Sequence, residues 1–262
     1  MRVSTVSLHH QQYGTQGAPL VILHGLFGSL DNWQTLARRF SEAFRVFTLD
    51  QRNHGKSPHT GQMDYPAMAE DLAQWLDAQH LESAFLIGHS MGGKTVMEFA
   101  QRYPDRADAL VVADIAPRAY TAGHDFILEV LRDFPVEEVR SRKQAEQWMA
   151  EYLNDPAIRR FLLKNLARVG NEQYQWKMNL PVILQEYHKL IDGVQQLRNA
   201  GMPALFAYGE RSGYIATTDY ALIRQYFPQA HFVGFPNTGH WLHAEQPDLF
   251  YQTALDFLKP LA

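Results

Sequence analysis

The sequence predicts an α/β fold, with a mainly parallel central sheet flanked by helices and a helical cap inserted into it. Three observations carry that reading. Short apolar runs alternate with amphipathic stretches, the pattern of repeated βα units. Ala84 to Lys94 runs from an apolar stretch through Gly-His-Ser-Met-Gly-Gly into a helical pattern, a strand, a sharp turn with Ser90 at its apex and a helix. From Ile115 to Gly201 the alternation stops, no strand is evident, and it resumes at Ala204. The expected division is a core of residues 1–116 and 202–262 with a cap of residues 117–201.

Taken in order, Arg2 to Leu8 alternates as an edge strand does, and Tyr13 to Pro19 reads as the turn leading away from a first hairpin. Leu20 to Leu23 is a buried strand that runs into His24-Gly25-Leu26-Phe27-Gly28-Ser29, a turn whose glycines let backbone approach a ligand. Asp31 or Asn32 is placed to cap a helix with Trp33, Leu36, Ala37 and Phe40 on one face. Phe44 to Leu49 is the next strand, and the polar loop Asp50 to Pro58 follows, its charges bracing neighbouring loops. An amphipathic helix carries Met68, Leu72, Trp75 and Leu76 inward before the strand that leads to Ser90.

After the Ser90 helix, Ala109 to Ala113 is a buried strand that delivers Asp114 at its carboxyl end. Within the inserted segment Phe126 to Leu131, Ala145 to Leu153, Ala157 to Leu166 and Leu180 to Leu190 read as helices. Strands at Ala204 to Tyr208 and His231 to Phe235 and helices near Asp219 to Tyr226 and Pro247 to Leu258 complete the core. Chemistry in such sheets gathers at the strands' carboxyl ends, where His24, Asp50, Ser90 and Asp114 all fall.

Composition narrows the function classes. The chain has 262 residues, 46% of them hydrophobic, which suffices for a large core. A formal charge of -4 with no basic cluster disfavours nucleic acid and anionic membranes as partners, and no run is long enough to span a bilayer. No export signal is evident in Met1 to His10, so a cytoplasmic address is expected. Cysteine is absent, which removes thiolate catalysis and sulfur-ligated metals, and no histidine pair has metal-ligand spacing. The expected partner is a small molecule, with no cofactor.

A serine hydroxyl is a poor nucleophile until a base takes its proton, and that base needs a carboxylate to hold its tautomer. His240, in the loop just past the last strand, is the base candidate; His24 and His89 adjoin glycines in tight turns and are read as bonding loop backbone.

With the order nucleophile, acid, histidine in hand, the chain resembles the α/β-hydrolase superfamily over nearly its whole length. Most members look like Gly-x-x-Asp in the loop that here reads Gly209-Glu210-Arg211-Ser212, so Ser212 occupies the aspartate's place. That departure points to Asp114, an alternative acid location the superfamily uses, with Glu210 as the competitor. The stretches His24 to Ser29, Asp50 to Ser57, Gly88 to Lys94 and Val112 to Pro117 look like the YbfF-type bacterial esterases. The resemblance implies Asp114 as the acid, Ser212 as an orienting fourth member, and an oxyanion hole built from the backbone N–H groups of Leu26 and Met91. A helix N-terminus and a glycine-rich turn suit that last role.

The expected reaction is hydrolysis of an acyl ester or thioester, acyl-coenzyme A included, through an acyl-enzyme on Ser90. Phe126, Trp148, Tyr152, Phe161 and Trp176 are candidates for an acyl pocket or for cap core. Lys94, Arg118 and Lys177 are candidates for attracting an anionic leaving group, or else solvated surface charges. An iminopeptidase-like enzyme would need cap carboxylates such as Glu129, Glu137, Glu138 or Glu186 facing Ser90. A carbon–carbon bond hydrolase and a non-catalytic ligand-binding scaffold use the same fold.

Overall fold

A computed structural model describes residues 4–170, 173–195, 198 and 200–262. Seven strands form the central sheet: β1 (His10–Tyr13), β2 (Pro19–Leu23), β3 (Arg45–Leu49), β4 (Ala84–His89), β5 (Ala107–Ala113) and, after the insertion, β8 (Ala204–Gly209) and β9 (Ala230–Phe235). Their spatial order is β1-β3-β2-β4-β5-β8-β9, with β1 antiparallel to β3 and every other pair parallel.

Side-chain alternation assigns the two faces. Val21, Leu23, Leu86, Leu110, Val112 and Phe206 pack beneath helices α2 (Tyr65–Ala78), α3 (Met91–Arg102) and α8 (Tyr220–Tyr226). Leu20, Ile22, Phe85, Ile87, Val111 and Leu205 face α1 (Gln34–Phe40) and the last long helix, Pro247–Leu258. Period-two apolar strands covered on both sides are what a parallel sheet demands. The second helix starts where Asp64 accepts the Ala67 N–H at 2.9 Å and Pro66 occupies the first turn.

Two expectations at the amino end are corrected. Residues 4–9 are not a strand, and Arg2 and Val3 lie outside the described residues. The Val6 N–H donates to the Asp71 carboxylate at 2.8 Å and the His9 N–H to the Ser57 hydroxyl at 2.8 Å, so side chains take donors that a sheet ladder would have used. Nor is there a first hairpin between β1 and β2, because β1 pairs with β3. The first helix begins as a 3-10 turn, Leu30–Trp33, in which the Asn32 side chain accepts the Ser29 N–H at 2.7 Å.

Between β5 and β8 the chain leaves the sheet. Among the described residues this insertion holds four helices, α4 (Asp125–Asp133), α5 (Arg142–Ala150), α6 (Pro156–Leu163) and α7 (Leu180–Leu190), and a hairpin of β6 (Leu166–Val169) and β7 (Gln173–Trp176). The hairpin overturns the expectation of an all-helical segment. Its strands are four residues each, too short for alternation to stand out.

The insertion shares its apolar core with the parallel-sheet unit. Leu128, Leu131, Phe134, Met149, Leu162 and Ile183 cluster with Phe27, Met68 and Met91. Polar ties reinforce the seam: Asn165 donates to the Phe27 carbonyl at 2.6 Å, and the Asn179 N–H to the Asn53 carbonyl at 2.8 Å.

Candidate active site

The turn after β4 holds Ser90 at φ 52° and ψ -116°, backbone space that L-residues seldom occupy and that costs about 1–3 kcal/mol. Two hydrogen bonds hold it there: its N–H donates to the Ala113 carbonyl at 3.0 Å, and its carbonyl accepts the Lys94 N–H at 3.0 Å. Close approach explains the flanking glycines. A Cβ on Gly88 would stand 2.3 Å from the Gly92 carbonyl oxygen, and one on Gly92 would stand 2.6 Å from the carbonyl oxygens of Leu23 and His24.

Asp114 follows β5 with φ 54° and is fully buried. One carboxylate oxygen accepts the Gly209 N–H at 3.1 Å; the other accepts the Ser212 hydroxyl and His240 Nδ1–H, the latter at 2.7 Å. The Ser212 oxygen itself accepts the Tyr214 N–H at 3.3 Å, which leaves its proton for Asp114. Glu210 is exposed, and its carboxylate lies against Gly234, away from this cluster.

His240 stands in the loop after β9. The Gly239 N–H before it donates to the Glu245 carboxylate at 3.0 Å, and its own carbonyl accepts His89 Nε2–H at 2.9 Å. The Tyr214 ring stacks on the imidazole, centroids 4.1 Å apart and planes 26° apart, while the His89 ring lies 4.6 Å away. With Nδ1–H given to Asp114, the lone pair sits on Nε2.

Burial pushes the Asp114 carboxyl up, and the bonds from Ser212 and Gly209 pull it back. Burial likewise pushes the His240 imidazole down, with nearby His124 adding to the effect. Neutral imidazole is therefore the resting form of the ring, the form a base needs.

Ser90 and His240 line one cavity of about 180 Å³. It adjoins two others. A cavity of about 240 Å³ shares Ser90 with it and also touches Leu26 and Met91, while a larger one of about 710 Å³ shares His240 and Trp241.

Other predicted residues divide. His24 and His89 bond loop backbone as expected: His24 Nδ1–H donates to the Gly25 carbonyl at 2.8 Å and Nε2 accepts the Gln51 N–H at 3.0 Å. The Asp50 loop braces its neighbours, with Asp50 accepting from Leu30 and Lys56 at 2.8 and 2.9 Å, and Arg52 gripping Asp71 at 2.6 and 2.8 Å. Of the five aromatic candidates only Phe161 lines a cavity that Ser90 lines; Trp148 and Trp176 pack on Phe134, and Phe126 and Tyr152 are exposed. Lys177 lies in a separate cavity beside the β6–β7 hairpin, and Arg118 pairs with Asp219 at 2.8 Å.

Lys94 corrects its reading as a solvated surface charge: it is 1% exposed and lines the 240 Å³ cavity with Ser90. Its position one helical turn after Ser90 was the available signal. Tyr65, Tyr120, Tyr187 and Tyr214, which line the same cavity, went unread because they come from four separate stretches of chain.

This elbow at the carboxyl edge of a parallel sheet, with a histidine from the last strand's loop beside it, matches the alpha/beta hydrolase fold family, whose model covers residues 18–247. The chain belongs to the α/β-hydrolase family. It is 40% identical over 243 residues to the esterase YbfF of Escherichia coli strain K12, covering 92% of this chain and 93% of that one. To the sn-1-specific diacylglycerol lipase ABHD11 of Mus musculus it is 37% identical, covering 91% of this chain and 80% of the lipase. A solved marine microorganism esterase superposes with a TM-score of 0.95 at 42% identity, covering 97% of this chain and all of the other.

Proposed function

We propose that Ser90, His240 and Asp114 form a catalytic triad that hydrolyses carboxylic esters and thioesters through an acyl-enzyme. That the chain is a carboxylic ester hydrolase follows from relatives named esterase and lipase at 37–40% identity over most of its length. The observation that carries the finer reading is the 2.7 Å contact of His240 Nδ1 with buried Asp114, beside a cavity that Ser90 and His240 share.

Ser90 attacks the carbonyl carbon as His240 Nε2 takes its proton, and Asp114 stabilises the imidazolium. The amides of Leu26 and Met91 receive the developing oxyanion; both residues line the cavity beneath Ser90, and Met91 opens α3, where helix N–H groups lack intrahelical partners. His240 returns the proton to the leaving oxygen or sulfur, and water then releases the acid. Ser212 acts through Asp114, as a positioning residue.

Because the leaving group must lie on the side of the proton donor, it extends into the 710 Å³ cavity that His240 lines, and the acyl group enters the 240 Å³ cavity beneath Ser90. Residues 117–201 act as the cap that closes both. A bulky thiol such as coenzyme A fits the larger side, where Arg160 and Lys164 are available to anionic groups. A cytoplasmic small-molecule substrate accords with this reading.

The iminopeptidase alternative draws no support, since Glu129, Glu137, Glu138 and Glu186 line neither cavity that holds Ser90. The deciding experiment is labelling by a fluorophosphonate with turnover of graded acyl esters and acyl-coenzyme A thioesters, for the native chain and Ser90→Ala. Labelling and turnover that vanish in Ser90→Ala are expected; a folded native chain that neither labels nor turns over any ester overturns the proposal.

A further inference from the structure

We propose that the cavity beneath Ser90 selects short acyl groups ending in a carboxylate, and that Lys94 is the residue that binds that carboxylate. The inference rests on the ester hydrolase reading and extends it to the acyl half of the substrate.

Lys94 is almost fully buried, yet among the described residues no carboxylate stands within ion-pair distance of it. Its ammonium donates to the backbone carbonyls of Asp192 and, at 3.4 Å, Ile191, just past the carboxyl end of α7. The rings of Tyr120 and Tyr65 flank it, with centroids 4.8 and 5.4 Å from Nζ. The Asp192 side chain is exposed and accepts the Gly193 N–H at 2.7 Å, and Arg118 nearby is already matched by Asp219.

A buried cation is ordinarily paired with an anion, because carbonyl dipoles and aromatic faces replace only part of its lost hydration. Burial accordingly pushes the Lys94 ammonium down to about 7, with the Asp192 charge opposing and Arg118 adding. An ammonium has three N–H donors, and two are directed at the carbonyls. The third remains for a ligand in the cavity that Lys94 lines.

The placement sets the ligand. Lys94 follows Ser90 by one helical turn, so an acyl group bonded to Ser90 has the ammonium within a short chain's reach. A cavity of about 240 Å³ holds a compact acyl group. An alkyl end there would strip the ammonium of remaining solvent and give nothing back; a carboxylate end would complete an ion pair inside low-dielectric surroundings. Half esters and half thioesters of short dicarboxylic acids have that form.

The test compares kcat/KM for ethyl hydrogen glutarate with that for ethyl pentanoate, whose acyl chains have the same number of carbons. The native chain is expected to favour the half ester by about tenfold or more, Lys94→Met to lose that preference, and Lys94→Arg to keep part of it. A native preference for ethyl pentanoate, or an unchanged ratio in folded Lys94→Met, overturns the proposal. Should Lys94→Met fail to fold, the native ratio alone decides. Should neither ester turn over, the hydrolase reading fails separately, and calorimetric titration with glutarate decides this one: binding by the native chain supports it, and no binding overturns it.

Discussion

The amide of Ser90 donates to the carbonyl of Ala113, 3.0 Å away, and Ala113 is the residue immediately before Asp114. The ends of β4 and β5 are thereby locked at the point where one strand delivers the Ser90 hydroxyl and the other the Asp114 carboxylate. Both residues leave their strands at positive φ, so each side chain is turned off the line of its strand.

Asp114→Asn is expected to lower kcat on the order of 10⁴-fold while the fold survives, because an amide presents the wrong group to His240 Nδ1–H. Glu210→Gln should leave turnover within a factor of about two, its carboxylate being exposed and distant from the imidazole. Steady-state kinetics beside a far-ultraviolet circular dichroism spectrum check the pair, and the opposite ranking would move the acid to Glu210.

For Ser212→Ala the expected loss is smaller, about tenfold to a hundredfold in kcat, the range for one hydrogen bond to a charged group. Removing a donor to the anion raises the Asp114 carboxyl further, so the acid limb of the pH–rate profile should move to higher pH. A merely structural serine would lower activity without moving that limb.

Stability should fall as acid charges the buried imidazoles. Burial pushes His24 down to about 4 and His54 to about 3, and holds His89 and His243 well below 6.5. Since the unfolded chain takes up these protons first, the stability present above pH 6.5 is lost as pH falls from 6.5 toward 4, at a cost on the order of 2 kcal/mol per ring by pH 5. Urea unfolding at pH 7.5 and pH 5 measures it; equal midpoints would contradict the burial argument.

Arg52→Ala should destabilise the chain by about 3–5 kcal/mol, because it leaves Asp71 buried without its partner. Burial already pushes the Asp71 carboxyl up against the pull of Arg52. A lower urea midpoint with unchanged slope is the expected signature, and a shift below about 1 kcal/mol would mean that water reaches Asp71.

Much of this was legible because the strands are short, apolar and covered on both faces, so Leu20 to Leu23 and Ala109 to Ala113 announce themselves from composition alone. Ser90 and His240 stood out through their local turns. The rest depends on partners far away in sequence. Whether Asp114 or Glu210 faces His240 turns on side-chain direction at the ends of the adjacent strands β5 and β8, which spacing cannot encode. Residues 4–9 alternate like a strand yet give donors to Asp71 and Ser57. Lys94 looks like any helical lysine until the carbonyls after α7 close over it.

The apolar cluster that joins Phe27, Met68 and Met91 to the inserted helices makes modularity conditional. An insertion fed through two nearby chain crossings invites exchange between homologues as a cassette. Here a transplanted insertion would arrive without part of its own interior, and the host would lose the packing that steadies Met91, the residue next to Ser90. Diversification of substrate range in this lineage would therefore proceed by substitution within the insertion, with those three positions inherited as part of it.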